Sequence, residues 1–194
     1  MVNASVTNWA MMCLNWALAG RERGRVARSS HSKPITMTIF ACPARFANEL
    51  ASVFVPTFAY EFNDEKAPQN FLPPVTFPYG ASHASEIQYI FPTANPSGLG
   101  LNLAQAPLDA NQEKLSDRMV GYWTEFARQG DPNGSGQPIW PRFHRDGQVL
   151  QSLVPPTPTT EANFATAHQC NFWDNLVGRT LPAKIGHDHE ANND

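Results

Sequence analysis

The sequence predicts an α/β fold, and three features predict it. Thr57-Phe58-Ala59-Tyr60-Glu61-Phe62 is a run of strand-forming residues ended by Asn63-Asp64. A loop then delivers the chain to Gly80–Phe91, where His83 stands in a glycine-led loop directly before a helix start. Further on, Asp109 with Gln112 three residues later forms a capping box for a long helix whose apolar stripe is Leu115, Met119, Tyr122 or Trp123, and Phe126. Strand, loop, helix is the order in which an open α/β sheet presents side chains at the carboxyl ends of its strands.

In chain order, residues 1–34 begin with an apolar patch and then lose all periodicity in Arg21-Glu22-Arg23-Gly24-Arg25 and Ser29-Ser30-His31-Ser32-Lys33. They carry a net +4 against -7 for the remainder. The segment reads as a non-core leader, disordered or weakly helical. Its basic run lacks the aromatic interleaving expected of a nucleic-acid surface, and the acidic body argues against a phosphate-binding face. Trp9–Ala19 has a small-residue ending like a cleavage site, but no basic residue precedes it. No stretch approaches the roughly 20 apolar residues of a membrane span, so a soluble chain is expected.

Ile35–Phe40 is β-rich, and Pro43 opens a helix whose apolar face would be Phe46, Ala47, Leu50 and Val53 or Phe54. Pro56 stops it before the strand. Lys66–Tyr79, with four prolines, reads as an ordered loop. After His83, Ser85 is placed to cap a helix, Glu86 to add charge to its first turn, and Ile87, Ile90 and Phe91 to form its buried face.

Pro92–Pro107 is a second loop, and the long helix follows, ended by Gly130 and the Asp131-Pro132-Asn133-Gly134 turn. Trp140–Phe143 and Gln148–Val154 read as extended pieces joined by a hairpin turn at Asp146-Gly147. Pro155–Thr160 reads as a polar linker, and Phe164–Val177 as a last helix burying Phe172, Trp173, Leu176 and Val177. Residues 179–194 form a polar tail.

The chemistry-bearing candidates are few. A histidine titrates near neutrality and can carry protons, although taken alone a loop histidine is more often just exposed or hydrogen-bonded. Cys13, Cys42 and Cys170 show no metal-ligand spacing. His187-Asp188-His189-Glu190 would hold a metal only weakly at an unsupported chain end. No metal and no cofactor is expected.

Several segments together resemble the carboxyl-terminal part of the type-B carboxylesterases, α/β-hydrolases that include the cholinesterases. Ile39-Phe40-Ala41-Cys42-Pro43-Ala44-Arg45 resembles the family's Phe-x-Cys-Pro segment, and Tyr60-Glu61-Phe62 its last core strand but one. Gly80-Ala81-Ser82-His83-Ala84-Ser85-Glu86 is similar to its catalytic-histidine loop. Leu115–Asn133 is similar to its long helix and following turn, and Trp140-Pro141 and Cys170-x-Phe172-Trp173 follow in family order. Residues 1–34 show no such likeness, and Met37 stands where an acidic residue is common.

The resemblance implies the carboxyl-terminal portion of an α/β-hydrolase fold over residues 35–178, incomplete, with few sheet strands plus packing helices. It implies that His83 is the general base that takes a proton from a serine nucleophile and returns it to the leaving alcohol. It implies that Cys42 and Cys170 pair as a disulfide in an oxidising environment, so that the protein is secreted or periplasmic if they are oxidised and cytoplasmic otherwise. The substrate of the full-length family is a carboxylic ester.

The family's nucleophile sits in a Gly-x-Ser-x-Gly turn, and this sequence has none. The triad acid also lies upstream in the family, and Glu86 does not match it. The expectation is a carboxyl-terminal esterase fragment, inactive alone, whose partner would be a missing amino-terminal esterase segment. Two alternatives stand beside it: a non-catalytic binding or scaffold module of hydrolase fold, and one half of a split esterase.

Overall fold

The computed structural model describes residues 37–70, 76, 79–82, 84–91 and 106–180. The leader with Cys13, His83, most of the Pro92–Pro107 loop and the tail cluster His187–Glu190 lie outside the described residues.

The first described element departs from the β-rich reading. Met37–Ala41 is a turn of π-helix running directly into helix α1, Cys42–Phe54. Ala41 and Cys42 at this junction are fully buried, in the cluster that also holds Phe164 and Cys170. Pro43 lies in the first turn of α1, where its missing N–H costs nothing. Helix α1 buries Ala44, Asn48, Glu49 and Ala51, whereas Phe54, expected on the inner face, is 67% exposed. The inner face is polar because it makes ion pairs: Arg45 bonds both Glu49, one turn on, and Asp174 at 2.6 Å.

Val55 is extended and Pro56 ends the helix. Strand β1 is Tyr60–Phe62, buried throughout. Helix α2, Ile87–Ile90, is short, and helix α3, Ala110–Gln129, is long. The capping box is formed as the sequence predicts: the Asp109 carboxylate accepts from the Asn111 amide at 2.8 Å and the Gln112 amide at 2.9 Å, and Gln112 Oε1 accepts from the Asp109 amide at 2.9 Å. Such a cap contributes about 1 kcal/mol. At the other end Gly130 adopts φ 76°, a left-handed conformation that glycine takes without strain.

Strand β2, Leu150–Leu153, pairs parallel with β1, with Tyr60 opposite Gln151 and Phe62 opposite Leu153. Strand β3, Thr159–Glu161, pairs antiparallel with β2. The expected hairpin at Asp146-Gly147 is corrected here: a turn is present, with the Gln148 amide on the His144 carbonyl at 2.8 Å. Trp140–Phe143 does not pair with β2, however, because β1 and β3 occupy its two edges. The end of the polar linker, Thr159 and Thr160, is accordingly part of the sheet.

The last helix is also revised. Gln169 at φ 53° breaks it into α4, Phe164–Ala167, and α5, Cys170–Leu176. Phe172, Leu176 and Val177 are exposed, while Phe164, His168, Cys170 and Asp174 face inward.

Alternation along the strands gives the sheet two packed faces. Tyr60, Phe62 and Leu153 meet Tyr89, Leu115, Met119, Tyr122 and Phe126, with Trp140 wedged edge-on to Tyr60 and Tyr122. The Trp140 indole N–H donates to the Ala59 carbonyl at 2.9 Å, so its one polar atom is satisfied inside the core. On the other side Ala59 and Leu150 meet Cys42, Phe143, Phe164 and Cys170. This is a mixed helix and strand arrangement consistent with part of an α/β-hydrolase fold.

Candidate active-site loop

The chain leaves β1 at its carboxyl end, and two residues later Asp64 forms a buried hub. Its carboxylate accepts from the Tyr89 hydroxyl, from Gln112 Nε2 at 2.8 Å and from the Lys66 amide at 2.9 Å. Helices α2 and α3 are thereby both fixed to the strand end, and the turn at Lys66 is closed. Burial pushes the Tyr89 phenol well above its ordinary value, and the adjoining Asp64 carboxylate pushes it further the same way. The phenol therefore remains a donor. Ser116 of α3 donates to the Tyr89 carbonyl at 2.6 Å, locking α2 onto α3.

Gln112 illustrates what sequence reading found and missed. Its role in the capping box is local and follows from spacing. The same side chain's amide nitrogen reaches Asp64, 48 residues earlier, and nothing in the local sequence signals that.

The residues on either side of position 83 are held from the segment after the hub. Gln69 Nε2 donates to the Gly80 carbonyl at 3.2 Å and to the Ala67 carbonyl at 2.9 Å, while Gln69 Oε1 accepts from the Ser82 hydroxyl at 2.8 Å. Beyond position 83, the Ser85 amide and hydroxyl both donate to the Ser82 carbonyl, at 3.1 and 2.6 Å. Gln88 Nε2 donates to the Pro68 and Ser85 carbonyls, and Gln88 Oε1 accepts from Asn70. Gly80 has φ 65° and Ala84 φ 71°. For alanine this conformation costs about 1–2 kcal/mol, so the surrounding bonds hold a strained backbone immediately after position 83.

Two local expectations change. Ser85 does not cap the helix, since its hydroxyl turns back to Ser82. The fully buried residues of α2 are Gln88 and Tyr89, which meet polar partners from Pro68, Asn70 and Asp64; of the expected apolar face, Ile90 packs half-buried against the core, while Phe91 is exposed. Both flanking serine hydroxyls are committed as donors within the loop. Neither is set up as a nucleophile.

On the opposite face Cys42 and Cys170 are joined as a disulfide with Cα atoms 5.2 Å apart, closing 128 residues of chain. Beside it His168 Nε2 lies 2.9 Å from Glu61 Oε1, both side chains almost wholly buried. Sequence reading missed this pair, since neither residue carries a local motif. Among the described residues no three His, Cys, Asp or Glu side chains converge on a metal-sized site, and no helix is long and apolar enough to cross a membrane.

The family model described as "Carboxylesterase family" matches residues 4–173, beginning inside the segment read above as a leader. The chain is 32% identical over 149 residues to human cocaine esterase, covering 76% of this chain and 24% of that protein. It is 32% identical over 148 residues to mouse acylcarnitine hydrolase, with 76% and 24% covered. With carboxylesterase 3 of Pongo abelii it shares 32% identity over 145 residues, with 75% and 24% covered. The chain thus spans about a quarter of the length of these curated relatives.

Proposed function

The chain belongs to the carboxylesterase family, and on that premise we propose that it supplies the general-base histidine, His83, of a serine-dependent carboxylic ester hydrolase. In this reaction His83 takes the proton of a serine hydroxyl as the serine oxygen attacks the ester carbonyl, and the tetrahedral intermediate expels the alcohol, which receives that proton. Water, deprotonated by the same imidazole, then cleaves the acyl-serine.

The observation that carries this reading is the frame around position 83. A loop at the carboxyl end of β1 has a buried hub on one side and a left-handed alanine on the other, the arrangement expected where a side chain must be aimed. Serine and acid come from polypeptide outside these 194 residues, since the sequence has no Gly-x-Ser-x-Gly turn. Alone, the chain is inactive.

The test is hydrolysis of a short-chain nitrophenyl ester, by the chain alone and by the chain co-expressed with an esterase segment bearing the nucleophile turn. His83→Ala runs in parallel, and circular dichroism checks folding. The expected result is no turnover alone, and co-expressed turnover that His83→Ala abolishes. Co-expressed turnover that survives His83→Ala would remove the proposed base. Turnover by the chain alone that depends on His83 would place a nucleophile within the 194 residues.

A further inference from the structure

We propose that Gln69 is a positioning residue for the general base, tying Gly80 and Ser82, the chain immediately before His83, to the strand end. The inference rests on the reading of His83 given above, but its geometry stands on neighbouring residues.

Gln69 touches the loop twice with opposite polarity. Its amide nitrogen donates to the Gly80 carbonyl at 3.2 Å and its carbonyl oxygen accepts from the Ser82 hydroxyl at 2.8 Å. A side-chain amide donates and accepts in one fixed plane, so it sets position and orientation together. The nitrogen is also anchored on the Ala67 carbonyl at 2.9 Å, and the Ala67 amide bonds the Asp64 carbonyl at 3.1 Å. A continuous path of bonds therefore runs from the buried hub to Ser82, which is covalently next to His83. Ser82 also receives the far side of the loop, since the Ser85 amide and hydroxyl both end on its carbonyl. Gln69 is only half-buried and packs in neither apolar cluster. Its contribution lies in the loop and not in the core.

The experiment is amide hydrogen exchange on the full chain, with histidine-ring NMR in which His83 is identified by difference from His83→Ala. In Gln69→Ala, exchange at the Ser82 and Ser85 amides should rise about tenfold while amides of the long helix Ala110–Gln129 stay unchanged. The His83 ring resonances should move while those of His144 and His168 do not. Ser82→Ala breaks the same clamp from its other side, should have a similar effect, and should not add to Gln69→Ala. It also stands in if Gln69→Ala fails to fold. Unchanged exchange and an unmoved His83 ring in either folded variant overturn the proposal, as does a uniform rise across the whole chain. These readouts do not depend on turnover, so a failed clamp and a failed general base are told apart.

Discussion

Helix α3 and helix α5 pack against opposite faces of one sheet, and they are held there by different physics. On the α3 side a twenty-residue helix buries a continuous stripe, Leu115, Met119, Tyr122 and Phe126, against Tyr60, Phe62 and Trp140. Its polar contacts are separate hydrogen bonds along that face: Gln112 on Asp64, Ser116 on the Tyr89 carbonyl and Tyr122 on the Pro138 carbonyl. On the α5 side a seven-residue helix leaves Phe172, Leu176 and Val177 outside and is fastened at points: the disulfide, Arg45 and Arg179 on Asp174, and His168 on Glu61. A long helix gains enough from area to be placed by its pattern alone. A short one does not, and here covalent and charged tethers do the placing.

Removing the tethers should therefore open one side and spare the other. Reduction of the disulfide, or Cys42→Ser with Cys170→Ser, should cost up to ~4–5 kcal/mol by the entropy of so long a loop. Urea unfolding measures the loss, and hydrogen exchange should show α5 opening first while α3 keeps its protection. Simultaneous loss of both sides would erase the distinction.

On the other face Met119→Ala should cost about 3 kcal/mol through the cavity left in the aromatic cluster, seen as a lower urea midpoint with exchange raised in α3 itself.

Tyr89→Phe should cost about 1–2 kcal/mol, because Asp64 loses one of its buried donors. It should also change the alkaline limb. Burial raises both Tyr89 and Tyr122 above 10, the latter to about 12. Folding thus favours the protonated phenols, and stability is fully present below pH 10 and lost as pH rises beyond it. Between pH 10 and 12 each phenol contributes a slope of up to about 1.4 kcal/mol per pH unit. The variant should show a shallower slope than the wild type, measured by urea titration across that range.

Smallest of all, Leu176→Ser should change stability by less than about 0.5 kcal/mol, since the side chain it removes is already in solvent. A loss of several kcal/mol would mean that α5 is held by area after all.

Helical periodicity placed the α3 side and misplaced the α5 side, where the resemblance had implied the Cys42–Cys170 disulfide but not the ion pairs. Capping box, apolar stripe and glycine stop are local patterns, and residues three or four apart on a helix carry their own geometry. At Phe164–Val177 the same periodicity pointed to Phe172, Leu176 and Val177, which are exposed, and to Trp173, which packs in part against the core. Arg45, Glu61 and Cys42, all more than 100 positions away, turned Asp174, His168 and Cys170 inward instead.

The loop repeats this division. Sequence alone determined that a strand is followed by a glycine-led histidine loop and a helix, that the long helix begins at Asp109 and ends at Gly130, and which family these segments resemble. Only the tertiary structure decided that Asp64 gathers Tyr89, Gln112 and Lys66, that Gln69 grips both Gly80 and Ser82, and that Gln148–Val154 joins β1 and β3 in place of a hairpin partner. Local patterns are fixed by backbone geometry within a turn or two. The partners of a buried polar side chain are fixed by whatever the rest of the fold brings within 3 Å of it, and a linear sequence does not hold that distance.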